Sequence, residues 1–247
     1  MAPAFSLKSP ETGTEYQISI APSAAENPAA KEPPPAVIVL DADDQFPFAV
    51  DAYETLRRME RVPPLLLVGV GYGGSYRDPV NRRGRDYTPT QTADEPESGG
   101  ADAFLAFVTD TLWPEIRRRH EVSDRDRGIA GHSVGALLVL HALFQRRPFF
   151  TRHLASAPSI WWDHRAILCH AQRLRREQDD LPARLFLCIG ENDTESMRGD
   201  LAMLEEQLAD DPFHRFETQC VRFPGRTHYD VLPDAYRAGL AALFGSG

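Results

Sequence analysis

Gly128-Ile129-Ala130-Gly131-His132-Ser133-Val134-Gly135-Ala136 is a short apolar run that passes through Gly-x-Ser-x-Gly into the helical stretch Ala136 to Phe144. That order, strand then turn then helix, is the setting a nucleophile elbow requires. A serine in a strained strand-to-helix turn projects its hydroxyl above the sheet. The flanking Gly131 and Gly135 permit the close backbone approach, and the Val134 N–H at the helix start faces any oxyanion that develops there.

Outward from this point the chain alternates. Short apolar runs at Ala36 to Leu40, Leu65 to Val70, Gly128 to Ala130, His153 to Ala155 and Leu185 to Ile189, with a mixed run from Phe216 to Phe223, read as strands. Between them, Ala49 to Met59, Ala101 to Arg118, Gly135 to Gln145, Asp163 to Arg176, Arg198 to Ala209 and Asp234 to Phe244 carry apolar residues at helical spacing. Buried strands alternating with helices predict a mainly parallel sheet covered on both faces. Phe5 to Ser9 and Tyr16 to Ile20, joined by Pro10-Glu11-Thr12-Gly13, predict an opening antiparallel hairpin. Residues 21–35, with five prolines and five alanines, and residues 72–99, without periodicity, predict loops inside a single domain spanning 1–247.

Composition narrows the partners. The 247 residues carry 36 Asp and Glu against 27 Lys and Arg, a formal charge of −9, which argues against nucleic acid and acidic membranes as partners. The 3 cysteines never form a Cys-x-x-Cys pair, so no disulfide framework or zinc knuckle is expected and a reducing compartment fits best. No signal-like or membrane-spanning stretch is present. A cytoplasmic protein without a metal or organic cofactor is the expectation, and a neutral or cationic small molecule remains open as its partner.

Ser133 needs a base, and this arrangement draws it from the C-terminal part of the chain in the order Ser, acid, His. Of the 8 histidines, two follow the strand Leu185 to Ile189. His228, in Pro224-Gly225-Arg226-Thr227-His228 between a strand and the last helix, is preferred to His214 at the start of a mixed strand. The acid should follow the penultimate strand, where Glu191, Asp193 and Glu195 compete. Asp193 is favoured by its distance from the strand end, with Glu195 the alternative; acids here also suit the first turn of the next helix. A second oxyanion donor is expected from the backbone near Asp43 in Asp41-Ala42-Asp43-Asp44. Three acids beside a site that develops negative charge must be turned outward or tied to arginines, and Asn81-Arg82-Arg83-Gly84-Arg85-Asp86 offers them. Gly69-Val70-Gly71-Tyr72-Gly73-Gly74 satisfies Gly-x-Gly-x-x-Gly, but a proline-containing loop follows where a pyrophosphate needs a helix N-terminus, so dinucleotide binding is not expected.

Seven ordered stretches resemble the putative-esterase family of α/β-superfamily hydrolases, whose characterised members include periplasmic siderophore esterases. They are Val39 to Asp43, Val68 to Tyr72, Arg83 to Pro89, Gly99 to Leu105, Gly131 to Gly135, Ala157 to Trp162 and Arg226 to His228. Val134 and the Gly135-Ala136 pair are small departures from the family's usual residues. The resemblance implies an α/β-hydrolase fold, Ser133 as nucleophile, His228 as base and backbone oxyanion donors at Val134 and near Asp43. It leaves the acid open, because some members are Ser–His dyads and others carry an aspartate at the place of Asp193. Arg83 and Arg85 are candidate receptors for substrate carboxylate or phenolate groups, and Trp161 a candidate wall of the substrate pocket. The expected activity is hydrolysis of a carboxylic ester through an acyl-enzyme. Acyl transfer to an alcohol, or a non-catalytic binding protein on the same scaffold, are the alternatives.

Overall fold

A computed structural model describes residues 3–21 and 32–245. Most of the expected Pro/Ala-rich loop, 22–31, lies outside the described residues. In chain order the elements are β1 (Phe5–Lys8), β2 (Glu15–Ala21), β3 (Ala36–Val39), α1 (Ala42–Arg58), β4 (Leu66–Gly71), the single turn α2 (Arg83–Asp86) and α3 (Ala101–Ala106). A π-helical stretch, Phe107–Leu112, joins α3 to α4 (Trp113–Arg119). Then come β5 (Arg127–His132), α5 (Val134–Leu143), β6 (Arg152–Ser156), α6 (Trp162–Glu177), β7 (Asp180–Gly190), α7 (Glu195–Asp210), β8 (His214–Phe223) and α8 (Leu232–Phe244).

The strands form one eight-stranded sheet in the order β1-β2-β4-β3-β5-β6-β7-β8. β1 and β2 make the expected antiparallel hairpin, β2 runs antiparallel to β4, and every later pairing is parallel. The near-continuous apolar runs follow from burial on both faces. In β3, Ala36 and Ile38 enter a core shared with Tyr16, Phe104, Phe107 and Leu137, whereas Val37 and Val39 enter a second core with Phe46, Tyr53, Tyr236 and Phe244. Successive side chains of a strand point to opposite faces, so both must be apolar. Helices α1 and α8 cover one face; α3 to α7 cover the other. β8 closes the sheet with a largely exposed, charged strand, and charge discourages further pairing at an edge.

Helix α5 packs behind β5 with every residue from Gly135 to Leu143 buried, as expected of a helix apolar all round. At Gly131 an added Cβ would lie 2.6 Å from the Gly135 carbonyl, so strand and helix meet at the elbow at a distance only glycine allows. Two features depart from the sequence expectation. The helix read over 101–118 contains the π-helical stretch, and α6 begins with three left-handed residues, Asp163, His164 and Arg165, at φ 44, 54 and 66°. Neither stretch contains a glycine or proline, although Pro114 follows the first by two residues.

Candidate active site

All pieces of the site lie at the C-terminal ends of the parallel strands, where α/β sheets place their ligands. Ser133, between β5 and α5, has φ 59° and ψ −120°, a conformation a side-chain-bearing residue rarely adopts and which costs about 1–3 kcal/mol. Neighbouring backbone holds it there. The Ser133 N–H donates to the Ser156 carbonyl at the end of β6 (2.9 Å), and the Ser133 carbonyl accepts from the N–H groups of Leu137 (3.1 Å) and Ser159 (3.1 Å). Its hydroxyl lies 3.3 Å from the hydroxyl of buried Ser159. That distance is long for a bond between hydroxyls, so the group is weakly held.

The acid and the histidine come from adjacent loops laced together by their backbones. Glu191 N–H donates to the Phe223 carbonyl (3.0 Å) and Asn192 N–H to the Arg226 carbonyl (2.8 Å). Gly190 makes the approach possible, since an added Cβ would sit 2.3 Å from that Arg226 carbonyl. The result places Asp193 Oδ2 2.9 Å from His228 Nδ1, with the Asp193 side chain 1% exposed and that of His228 20%. The other Asp193 oxygen accepts from the Thr194 N–H at 2.7 Å. Glu191 and Glu195 are exposed, Glu195 in the first turn of α7, and His214 is exposed on β8. Of the residues that competed in the sequence, Asp193 and His228 are the pair brought together.

A second imidazole stands against His228. The ring of His132 lies 4.6 Å away, centroid to centroid, and its Nδ1 is 3.1 Å from the Ser156 hydroxyl. Burial, reinforced by the neighbouring His228 and Arg83, pushes the His132 pKa down to about 3. His132 therefore stays neutral at physiological pH and adds no like charge beside His228.

The first-turn N–H groups of α5, Val134 included, and of α1, Ala42 and Asp43 included, have no intrahelical partner and cluster at the ends of adjacent strands β5 and β3. The three acids of the second segment are all accounted for. Asp41 is bound by Arg83, Asp43 accepts from the N–H groups of Tyr72 (2.6 Å) and Gly73 (3.1 Å), and Asp44 accepts from Ser75 Oγ (2.6 Å) and Tyr76 N–H (3.1 Å). The glycine-rich string after β4 serves this contact: an added Cβ on Gly71 would meet Asp43 Oδ2 at 2.5 Å. The expected anchoring of acids by the arginine-rich segment thus holds for Asp41.

Arg83 and Arg85, the candidate receptors for substrate anions, are both engaged by acids of the fold. Arg83 directs Nε and Nη2 to the two Asp41 oxygens at 2.9 and 3.0 Å. Arg85 directs Nε to buried Asp86 (2.7 Å) and Nη2 to Thr14 Oγ1 (2.6 Å), and Asp86 also accepts from Tyr16 and Tyr72. Both guanidiniums satisfy carboxylates buried by the fold, each of which would be costly if left unpaired. Trp161, by contrast, is 47% exposed just after Ser159, while its neighbour Trp162 is buried with Nε1 on the Thr90 carbonyl (3.2 Å). Tyr229, next to His228, is 86% exposed. His132 and Ser159 lie inside quoted stretches and Tyr229 directly after one, but none of the three had a role on sequence alone.

Among the described residues no cluster of three or more His, Cys, Asp or Glu side chains could hold a metal, and no helix is long and apolar enough to cross a membrane. Cys169, Cys188 and Cys220 are free thiols.

This sheet order, with a strained serine after β5 and a histidine paired to an acid after β7 and β8, defines an α/β hydrolase. Residues 9–229 match the protein family described as Putative esterase, and the chain belongs to that family. It is similar to the ferri-bacillibactin esterase BesA of Bacillus subtilis, 30% identical over 228 residues that cover 83% of this chain and 78% of that protein. It is also similar to a siderophore enterobactin esterase of Emericella nidulans, 36% identical over 155 residues, 56% of this chain and 50% of that one. Among solved structures, the BES protein from Bacillus cereus superposes with a TM-score of 0.88 at 28% identity, covering 98% of this chain and 94% of that chain. The chain is accordingly a carboxylic ester hydrolase by family.

Proposed function

We propose that the protein is a serine esterase that works through an acyl-enzyme, with Ser133 as nucleophile, His228 as general base and Asp193 as the acid of a triad. The 2.9 Å bond between His228 Nδ1 and Asp193 Oδ2, assembled from two loops beside a strained serine, is the observation that carries this reading. With Nδ1 held by the carboxylate, the imidazole presents Nε2 as the basic nitrogen. As the Ser133 oxygen attacks the ester carbon, Nε2 takes its proton and Asp193 stabilises the imidazolium. The same proton then passes to the departing alkoxide. Water repeats the cycle on the acyl-enzyme and releases the acid. In the resting enzyme Ser133 meets Ser159 instead of His228, and the Ser–His bond closes in the substrate complex. The N–H of Val134 and one from Ala42 or Asp43 receive the oxyanion. The reaction needs no metal or organic cofactor, residues 1–247 act in it as one hydrolase domain, and a cytoplasmic place fits this reading.

The names of the relatives point to siderophore esters as the substrate class, and the exposed Trp161 and Tyr229 beside the site suit aryl groups on such a substrate. Turnover of a panel of esters, comprising p-nitrophenyl acetate, an aryl ester, a thioester and a catecholate trilactone, tests this reading. The trilactone should have the highest kcat/KM, and Ser133→Ala should hydrolyse none. Hydrolysis retained by Ser133→Ala would refute the serine mechanism, and indifference to the trilactone would refute the substrate class.

A further inference from the structure

One guanidinium touches both halves of the oxyanion site. Arg83, in the single turn α2 of the segment between β4 and α3, grips the Asp41 carboxylate with Nε and Nη2 (2.9 and 3.0 Å), and Nη2 lies 3.3 Å from the His132 carbonyl, immediately before Ser133. We infer that Arg83 is a positioning residue of this esterase: through Asp41 and the His132 carbonyl it locks the oxyanion loop after β3 against the serine turn after β5. The inference rests on the Ser133 reading above.

Asp41 is built to transmit such a constraint. It caps α1 in a left-handed conformation, φ 52° and ψ 46°, so its orientation sets where the next N–H groups, those of Ala42 and Asp43, point. Its carbonyl accepts from Asp44 and Gln45 N–H (3.0 and 2.9 Å), and Gln45 Nε2 adds a bond to Oδ2 at 3.1 Å. The carboxylate also reaches the other helix, since an added Cβ on Gly135 would lie 3.1 Å from Asp41 Oδ2. The first turn of α5, which carries the Val134 N–H, thus packs against the same carboxylate.

Arg83 is itself held in place. Its guanidinium lies 4.8 Å from the Tyr76 ring centroid and 5.8 Å from that of Tyr87, whose hydroxyl is 3.3 Å from the Asp41 N–H. Burial opposes the charge on both partners; it pushes the Asp41 carboxyl up from its ordinary value, and Asp41 in turn raises the Arg83 pKa despite burial. Stability alone does not explain such a pair, because buried ion pairs are often matched or bettered by apolar residues. Ser133 and Asp41 are both strained, and strained residues persist only where surrounding contacts over-determine them. A guanidinium that grips Asp41 with two nitrogens and donates to the carbonyl just before Ser133 supplies a contact to each.

The test compares wild type, Arg83→Met, Arg83→Lys and the double variant Arg83→Met/Asp41→Asn. Two esters serve, neutral p-nitrophenyl acetate and anionic 4-nitro-3-acetoxybenzoate, together with the rate and end-point of fluorophosphonate labelling and the thermal melt. For both single variants kcat is expected to fall ~10²-fold, equally on the two esters, with KM within about threefold, because small misplacement of a catalytic group costs that much. The labelling rate should fall in parallel while the end-point stays at one label per chain, and Lys should not rescue because it lacks the fork. The double variant, free of an unpaired buried charge, should melt above Arg83→Met and remain slow. A KM rise confined to the anionic ester would overturn the inference in favour of an anion receptor. Wild-type kcat in folded Arg83→Met or in the double variant would leave Arg83 a purely structural role and also overturn it. Absence of labelling and hydrolysis in the wild type would instead bring down the Ser133 reading itself.

Discussion

Two acid-rich segments leave the same end of the sheet, Asp41-Ala42-Asp43-Asp44 after β3 and Glu191-Asn192-Asp193-Thr194-Glu195 after β7, and they put their carboxylates to opposite uses. In the first, each acid accepts from another loop: Asp41 from Arg83, Asp43 from the backbone of Tyr72 and Gly73, Asp44 from Ser75 and Tyr76. In the second, two of the three are exposed and one, Asp193, is buried against an imidazole. An acid at a strand end therefore acquires its role from the partner the fold brings to it. A guanidinium or backbone N–H turns it into an architectural anchor; an imidazole beside a serine, on the proposed mechanism, makes it part of the chemistry.

Substitutions can break that contrast. Asp193→Asn should have the largest effect, lowering kcat by ~10³–10⁴-fold in steady-state assays because the imidazolium loses its counter-charge. Glu191→Gln and Glu195→Gln should stay within about twofold of wild type. Equal losses from all three would erase the distinction. Asp41→Asn comes next: leaving the Arg83 charge without its carboxylate should cost about 3–5 kcal/mol in denaturant unfolding. Asp43→Ala should cost about 1–3 kcal/mol, from the charged acceptor lost to two backbone N–H groups, with activity reduced less than tenfold.

Acid sharpens the comparison further, through histidines instead of carboxylates. Burial pushes His132 and His153 down to about 3 in the folded protein. Between the ordinary histidine pKa and about 3 the unfolded chain binds protons that the native chain does not, so stability falls as pH falls through that window. Each histidine contributes a slope of about 1.4 kcal/mol per pH unit. His153 is fully buried on β6 with neither ring nitrogen hydrogen-bonded, so His153→Leu should flatten the dependence by one such increment without lowering kcat. An unchanged slope in urea titrations between pH 4 and 6 would contradict the assignment. The smallest effect concerns strain: Ser133→Gly, besides losing activity, should be more stable than Ser133→Ala by about 1 kcal/mol in denaturant unfolding, because glycine adopts a φ of 59° without penalty.

The contrast also explains what could be read from the chain before its structure. The sheet was legible because parallel strands buried on both faces leave unbroken apolar runs, and α5 because a helix apolar all round can only be interior. Gly131-His132-Ser133-Val134-Gly135 is local, so the turn and its serine were legible together. Pairings across loops were not legible in the same way. Arg83 meets Asp41 across 42 positions, and an arginine in a long loop reads equally as a ligand receptor or as a partner for an internal carboxylate. The π-helical stretch Phe107–Leu112 and the left-handed residues Asp163 to Arg165 sit in segments of ordinary helical periodicity, which carries no mark of either. Ser159 lies beside Ser133 because the turn after β6 folds back on the elbow, which no residue spacing reveals.

The central claim is that Ser133 is an activated nucleophile, and its most direct measurement is the site and rate of covalent labelling by a fluorophosphonate, followed by intact-mass and peptide mass spectrometry. One adduct per chain is expected, carried by the peptide containing Ser133, absent in Ser133→Ala and formed at least ~100-fold more slowly in His228→Ala, on the order of a lost general base. A label on any other residue, or undiminished labelling of Ser133→Ala, would contradict it.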